Sequence, residues 1–286
     1  MIVENIILDS LFDGIRRLRC SILYSAMKYR HNTILKRNLV FCDIHKGKRC
    51  FIIANGPSTK SQNLSHLKNE ICFCVNYFYV SDDYHIINPK YYCMTHNHGM
   101  AESRYDDVMD SLEEHTSQDT TFFFPLEDMQ RCTRNNRFKE RNLYFVNFCN
   151  MSFKHLRQKG IDLTHTVPNY QSVSVMALEI AMYMGFSEIF LIGYDHDWIL
   201  NDMRADYHSY DEEKRRLVQK EGFKKYDDKY GEKASFEVGL KAYLRLWKQY
   251  REIKKIADNK NIIIYNATNG GLLDVFPRFR YESLFK

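Results

Sequence analysis

A single doubly wound α/β domain on a mainly parallel sheet is the fold class predicted by three features of this 286-residue chain. Short, continuous apolar runs recur from Arg49 onward, and helical patterns alternate with them. Polar stretches rich in amides and glycine close several of the apolar runs. Continuous apolar strands between helices are what a parallel sheet covered on both faces needs. A chain of this length can bury one large core, and no repeat or low-complexity linker divides it.

The N-terminal part stands apart. Residues 8 to 41 read as helix, with Leu11, Ile15, Leu18, Ile22, Leu23 and Met27 at roughly helical spacing. Between residues 13 and 49, ten Lys and Arg residues (16, 17, 19, 28, 30, 36, 37, 46, 48 and 49) are opposed only by Asp13 and Asp43. Two readings stand level. One is a basic amphipathic helix lying on an anionic membrane surface. The other is a helix packed on the domain with a solvated basic face. We place this extension at 1–46 and the main domain at 47–286.

Within the main domain, strands are predicted at RCFIIA, EICFCVNYF, KYYCMTH, TTFFF, LYFVNF, EIFLIGY and NIIIYNA. The apolar helix VSVMALEIAMYMGF precedes EIFLIGY, and the long charged helix EVGLKAYLRLWKQYREIKKIADNK precedes NIIIYNA. Between them, residues 199 to about 233 are polar and rich in tyrosine and charge, the composition of a lid.

Composition excludes several classes. Hydrophobic content of 44% and charged content of 27% rule against disorder. A formal charge of +5 is too mild for a nucleic-acid protein. The eight cysteines form no CxxC pair or Cys/His ladder, which disfavours structural zinc and fits a reduced, cytoplasmic protein. MIVENIILDS lacks a basic n-region and makes a poor signal peptide, and no run is apolar enough to cross a bilayer.

In an open parallel sheet, ligands sit outside the C-terminal ends of the strands. That rule selects Asn55-Gly56-Pro57-Ser58, Asn76-Tyr77, Thr95-His96-Asn97, Gly193 to Asp197, and Asn266 to Gly271. Gly56 allows positive φ and leaves no Cβ against a ligand, Pro57 stiffens the turn, and Asn55 and Ser58 offer short polar arms. The plain alternative is a tight turn. The pattern is neither GxGxxG nor a GxxxxGK[ST] phosphate loop, which disfavours dinucleotide or ATP binding of those types. Ser172 or Ser174 opens the apolar helix, either as an ordinary N-cap or as part of an anion-binding helix start. Asp195-His196-Asp197 can chelate a divalent cation, or Asp195 can simply brace neighbouring loops. In the lid, His208 suits general-base work near neutral pH, and Arg204, Tyr207 and Tyr210 lie close to it in sequence.

Taken in order, IIANGPS, CFCVNYFYV and GFSEIFLIGYDHDW, with a weaker likeness at NIIIYNATNGGLLDVFPR, resemble the small bacterial sialyltransferases that use CMP-activated sialic acid without a metal. The resemblance covers about residues 48 to 198. It implies a Rossmann-like domain with a lid, inverting transfer from a CMP-sugar, and a histidine base from the lid region. By position, Asn55, Gly56 and Ser58 would hold the nucleotide and its phosphate, and Asn76 would contact the cytidine or donor sugar. Tyr77, Pro57, Ser172, Ser174, Gly193, Asp195 and His196 complete the expected donor site.

This sequence departs from the family's pattern in three places. The family's T-S-G helix start reads Ser172-Val173-Ser174, and Tyr170 stands about where the family has an arginine. Asp197 replaces the tyrosine closing its GIDFY motif. Where the family has its histidine, before the last long helix, this chain reads GEKASFEV. His208 is thus a substitute by chemistry, with Tyr207, Tyr210 and Arg204 serving the leaving phosphate.

The expectation is a cytoplasmic transferase acting on a CMP-sugar and a surface glycan or glycolipid acceptor, with no cofactor, and with peripheral contact with the inner face of the cytoplasmic membrane as one of the two readings of its N-terminal extension. Homo-oligomerisation stays open. Two other readings remain. One is a Mg2+-dependent nucleotide-diphosphate transferase or pterin-type pyrophosphokinase using Asp195 and Asp197. The other is a non-catalytic nucleotide-binding module.

Overall fold

The computed structural model describes residues 33–96, 102–197 and 236–285. Seven parallel strands form one sheet: β1 (Arg49–Ile53), β2 (Cys72–Val75), β3 (Tyr91–Cys93), β4 (Thr121–Pro125), β5 (Asn142–Val146), β8 (Glu188–Ile192) and β9 (Ile263–Asn266). A separate small pair, β6 (Phe148–Cys149) and β7 (Val167–Pro168), is also parallel. The seven predicted strand segments are the seven strands of the large sheet.

The strand order is β5-β4-β3-β2-β1-β8-β9. The chain starts in the middle at β1, builds outward to β5, and then returns to the other side of β1 with β8. The direction of winding therefore reverses between β1 and β8, whose register pairs Arg49 with Glu188 and Ile53 with Ile192. Such a reversal parts the loops that leave the two strands and opens a crevice at their C-terminal ends.

Three longer helices cover the sheet: α1 (Glu102–His115), α2 (Val173–Tyr183) and α3 (Phe236–Asn259). Every residue of α2 is buried, which explains its near-continuous apolar sequence. Side chains alternate across each strand, so Cys50 and Ile52 enter the core under α2 and α3 while Phe51 and Ile53 enter the core under α1. Burial pushes the thiols of Cys50, Cys72, Cys74 and Cys93 up, so these cysteines act as small hydrophobes. No helix among the described residues is long and apolar enough to cross a membrane.

Of the predicted N-terminal extension, only residues from 33 on are described. They lie on the sheet. Phe41 packs edge-on against Tyr91, Phe123 and Tyr144, and buried Asn38 donates to the carbonyls of Phe145 and Leu163, both at 2.8 Å. The expected lid at 199–233 lies outside the described residues.

Candidate functional site

The loop after β1 lies along the end of β8. Ala54 N–H donates to the Ile192 carbonyl at 2.8 Å, and Gly56 N–H to the Gly193 carbonyl at 3.0 Å. Two glycines permit this approach. A Cβ on Gly56 would overlap the Asp195 carboxylate and the Gly193 carbonyl. A Cβ on Gly193 would come within 2.6 Å of the Ala54 carbonyl and 2.7 Å of Thr59 Cγ2. Gly56 itself has φ −66°, which any residue can adopt. The expectation that Gly56 supplies positive φ or clears room for a ligand is therefore corrected: the space beside it holds Asp195. Pro57 opens a 3-10 turn, Pro57–Ser61, as its first residue, where a missing N–H costs nothing.

Asp195 is the hub of this end of the sheet. Its carboxylate accepts the Ser58 N–H at 3.1 Å and the Ser58 hydroxyl at 2.7 Å. Its carbonyl accepts Leu272 N–H at 2.7 Å, and Gly271, at φ +74°, packs where a Cβ would touch Asp195 backbone at 2.6 Å. Burial raises the Asp195 pKa, and the two Ser58 bonds pull the other way. The bracing role foreseen for Asp195 is thus present. Ser58 faces this carboxylate, so its hydroxyl proton is committed there. The loop after β9 is tied in further by Gln62 Nε2 to the Ala267 carbonyl (2.8 Å), Asn269 Nδ2 to Ser61 Oγ (2.9 Å) and Arg278 to the Gly271 carbonyl (2.8 Å).

Beside this brace opens a cleft of about 440 Å3, lined by Asn76, Tyr77, Thr95, Gln171, Ser172, Val173, His196, Ala242, Tyr243 and Leu246. Asn76 holds a left-handed conformation, φ 49°, which asparagine tolerates better than most residues. Its carbonyl accepts the Tyr92 hydroxyl at 2.7 Å, while its side-chain Oδ1 is buried without a partner. Asn55 donates Nδ2 to the Val75 carbonyl at 3.1 Å, which turns its own unpartnered Oδ1 away from that strand. Ser172 caps α2, its hydroxyl accepting Ser174 N–H at 3.3 Å, so the N-terminus of this helix opens at the cleft. Ser174 is buried in the first turn.

His196 is also left-handed, φ 46°. Its Nε2 lies 2.8 Å from the buried Tyr250 hydroxyl, and the Tyr243 hydroxyl donates to its carbonyl. Burial lowers its pKa from 6.5 to about 4, so the ring is neutral near pH 7. Asp197 has one buried oxygen without a partner.

The structure therefore brings Asn76, Tyr77, Ser172 and His196 onto one cleft, and sets Asn55, Gly56, Pro57, Ser58, Gly193 and Asp195 in its supporting wall. Arg204, Tyr207, His208 and Tyr210 lie outside the described residues. Among the described residues, no group of three or more His, Cys, Asp or Glu side chains is placed to hold a metal. Sequence reasoning missed Tyr243 and Tyr250. The signal available was the aromatic stripe Tyr243, Trp247, Tyr250 on one side of the last long helix.

An all-parallel sheet with polar loops gathered at its switch point defines a doubly wound α/β domain. The chain belongs to the MptE-like family: the family model described as 6-hydroxymethylpterin diphosphokinase MptE-like matches residues 26–200. That description is of the pyrophosphokinase class named above as an alternative. No curated protein matches the chain. Similar solved structures include the sialyltransferase CstII from Campylobacter jejuni in complex with cytidine-5'-monophosphate, at 15% identity and TM-score 0.47 over 82% of this chain and 85% of that one. The same enzyme with CMP-3FNeuAc matches at 18% identity and TM-score 0.44, covering 81% of this chain and 86% of that one. The sialyltransferase CST-II with a trisaccharide acceptor and CMP matches at 17% identity and TM-score 0.44, covering 80% and 85%. These are the proteins the motifs resemble.

Proposed function

We propose that the chain is an inverting glycosyltransferase that moves a sialic acid or related sugar from a CMP-sugar to a surface glycan or glycolipid. The observation that carries this reading is the pair of hydrogen bonds that Ser58 donates to Asp195, which commits both carboxylate oxygens to a structural brace. The described cleft lining is left with amides, hydroxyls, one neutral imidazole and apolar groups, and no carboxylate or cation. Such a wall suits a monophosphate leaving group, whose charge the N-terminus of α2 and neutral donors can stabilise. A polyphosphate bound through Mg2+ asks for carboxylates facing the ligand.

In this reading His208 takes the proton from the acceptor hydroxyl as that oxygen attacks the anomeric carbon. Tyr207, Tyr210 and Arg204 assist the departing CMP. No cofactor is required. The basic residues of the N-terminal extension would hold the enzyme against an anionic membrane on its cytoplasmic side.

A second reading has a specific basis. The family description names a diphosphokinase, and Asp197 keeps a buried oxygen without a partner. A thermal-shift panel of CMP, CMP-sugars and ATP, each with Mg2+ or with EDTA, separates the two, because a ligand stabilises the state it binds. Stabilisation by CMP or a CMP-sugar that persists in EDTA supports the transferase. Stabilisation by ATP alone, lost in EDTA, overturns it in favour of the kinase reading. Full transferase activity of His208→Ala would remove the assigned base.

A further inference from the structure

Away from the cleft, the segment Arg37–Phe41 and the turn that follows it invert the usual sorting of side chains. Polar Asn38 is fully buried, while Leu39, Val40 and Ile44 stand 64%, 59% and 48% exposed. Isolated exposed aliphatics are ordinary, but three within six residues form a patch that a soluble surface rarely keeps without a use. The patch is not loose. Asn38 ties it to Phe145 and Leu163, Phe41 roots it in an aromatic cluster, and the turn bonds to the end of α2. Those last bonds run from Asp43 N–H to the Tyr183 carbonyl (3.1 Å), His45 N–H to Met184 (2.8 Å) and Gly47 N–H to Gly185 (3.1 Å). The fold thus presents the three aliphatics on an anchored support.

The surroundings are basic. Lys36, Lys46 and Lys48 are exposed, and none makes an ion pair among the described residues. Lys48 and Lys90 also lie near buried His45, whose pKa is lowered chiefly by burial. The acid of the turn, Asp43, is exposed, with its Oδ1 turned toward Gly185, 2.7 Å from where a Cβ there would sit. A groove of about 600 Å3 beside Leu39 is lined by Lys46, Lys159 and Lys260 and by the carboxylates of Asp43 and Asp162, leaving the cations in the majority.

We propose that this turn is a docking surface for an anionic phospholipid bilayer. Leu39, Val40 and Ile44 enter the headgroup region, and the lysines around them meet lipid phosphates. Apolar insertion and cationic attraction reinforce one another at such an interface, each being too weak alone for stable binding. The turn lies by the N-terminal ends of β1 and β8, opposite the strand ends that carry the cleft. The bound protein therefore holds its cleft away from the lipid. Charge complementarity favours lipid over a second copy of the chain, whose matching patch would bring like charges together.

The test is co-sedimentation of the full chain with vesicles, of phosphatidylcholine alone or with about 30 mol% phosphatidylglycerol, at low and high salt. The variants are Leu39→Ser/Val40→Ser/Ile44→Ser, Lys46→Glu/Lys48→Glu, and Ile86→Ser as an exposed aliphatic control outside the turn. The wild type should favour anionic over neutral vesicles by about tenfold and lose that preference in high salt. The aliphatic triple and the charge pair should each weaken binding at least ~5-fold with unchanged circular dichroism, and Ile86→Ser should not. Unchanged binding by the aliphatic triple overturns the proposal. So does equal binding to neutral vesicles, or a wild-type dimer that the triple breaks with no effect on vesicle binding. This docking surface deepens the membrane contact proposed for the N-terminal extension; because the readout is lipid binding, its failure is distinguishable from failure of the transferase chemistry, which nucleotide binding tests.

Discussion

Ser58 and Asp195 lie 137 residues apart, yet the serine donates both its N–H and its hydroxyl to the one carboxylate, at 3.1 and 2.7 Å. This pair joins the loop after β1 to the loop after β8 at the sheet's switch point. Ser58→Ala should cost about 1–2 kcal/mol, because a buried carboxylate oxygen loses its partner. Asp195→Asn should cost about 1 kcal/mol, since Oδ1 can keep the Ser58 N–H while Nδ2 donates to the Ser58 hydroxyl oxygen, and what is lost is the charge on the acceptor. Urea denaturation of both variants measures this. In the transferase reading Asp195→Asn also weakens CMP binding, and added Mg2+ does not restore it.

Gly56→Ala tests the interlock directly. The new Cβ overlaps the Gly193 carbonyl, a backbone atom that cannot swing aside. A loss of about 2–3 kcal/mol is expected, together with loss of nucleotide-induced thermal stabilisation. Gly270→Ala is the control. Its Cβ meets nothing within 4 Å, and only the φ of +87° strains it. It should cost about 1 kcal/mol and leave nucleotide binding in place.

His196 gives a pH dependence with a definite sign. Unfolded, the imidazole titrates near 6.5; folded, near 4. Between these values only the unfolded chain holds the proton, so stability falls as pH drops from about 6.5 toward 4 and is unaffected above. The full shift corresponds to about 3 kcal/mol. His45, lowered to about 4 chiefly by burial, acts in the same sense. Asp195, whose pKa is raised, acts oppositely, since its folded form takes up a proton first on acidification. Urea midpoints of wild type and His196→Asn across pH 4.5 to 7.5, a window set by these pKa values, should diverge, with the variant flatter.

Tyr250→Phe removes the hydroxyl partner of His196 Nε2, and Tyr243→Phe removes the donor to its carbonyl. Each should cost about 1 kcal/mol. Both release a left-handed residue in the cleft wall. In the transferase reading, titration of the two variants with CMP should show affinity lowered about 3- to 10-fold, the range one lost hydrogen bond spans.

The large sheet was legible because its strands are buried on both faces, which forces unbroken apolar runs such as CFCV and EIFLI. Ser172 was legible as a cap because only a few residue types close a helix start. Gly56 was legible as special but for the wrong reason. A sequence shows that a Cβ is missing, whereas what fills the space is a residue 139 positions away in the chain, Asp195. Tyr243 and Tyr250 were invisible as site residues because an aromatic helix face reads the same whether it meets a core or a cleft.

The sequence by itself determined the parallel α/β class, the strand-end positions where a ligand site had to lie, and the basic N-terminal stretch. These depend on local patterns of polarity and on a general rule of sheet geometry. Only the tertiary structure decided that Asp195 braces Ser58, that His196 is a neutral ring held by two tyrosines of α3, and that Leu39, Val40 and Ile44 face outward while Asn38 turns in. Each of those facts is a contact between segments far apart in the chain. Their partners are chosen by how the sheet is ordered, and the order of strands is written in no single stretch of sequence.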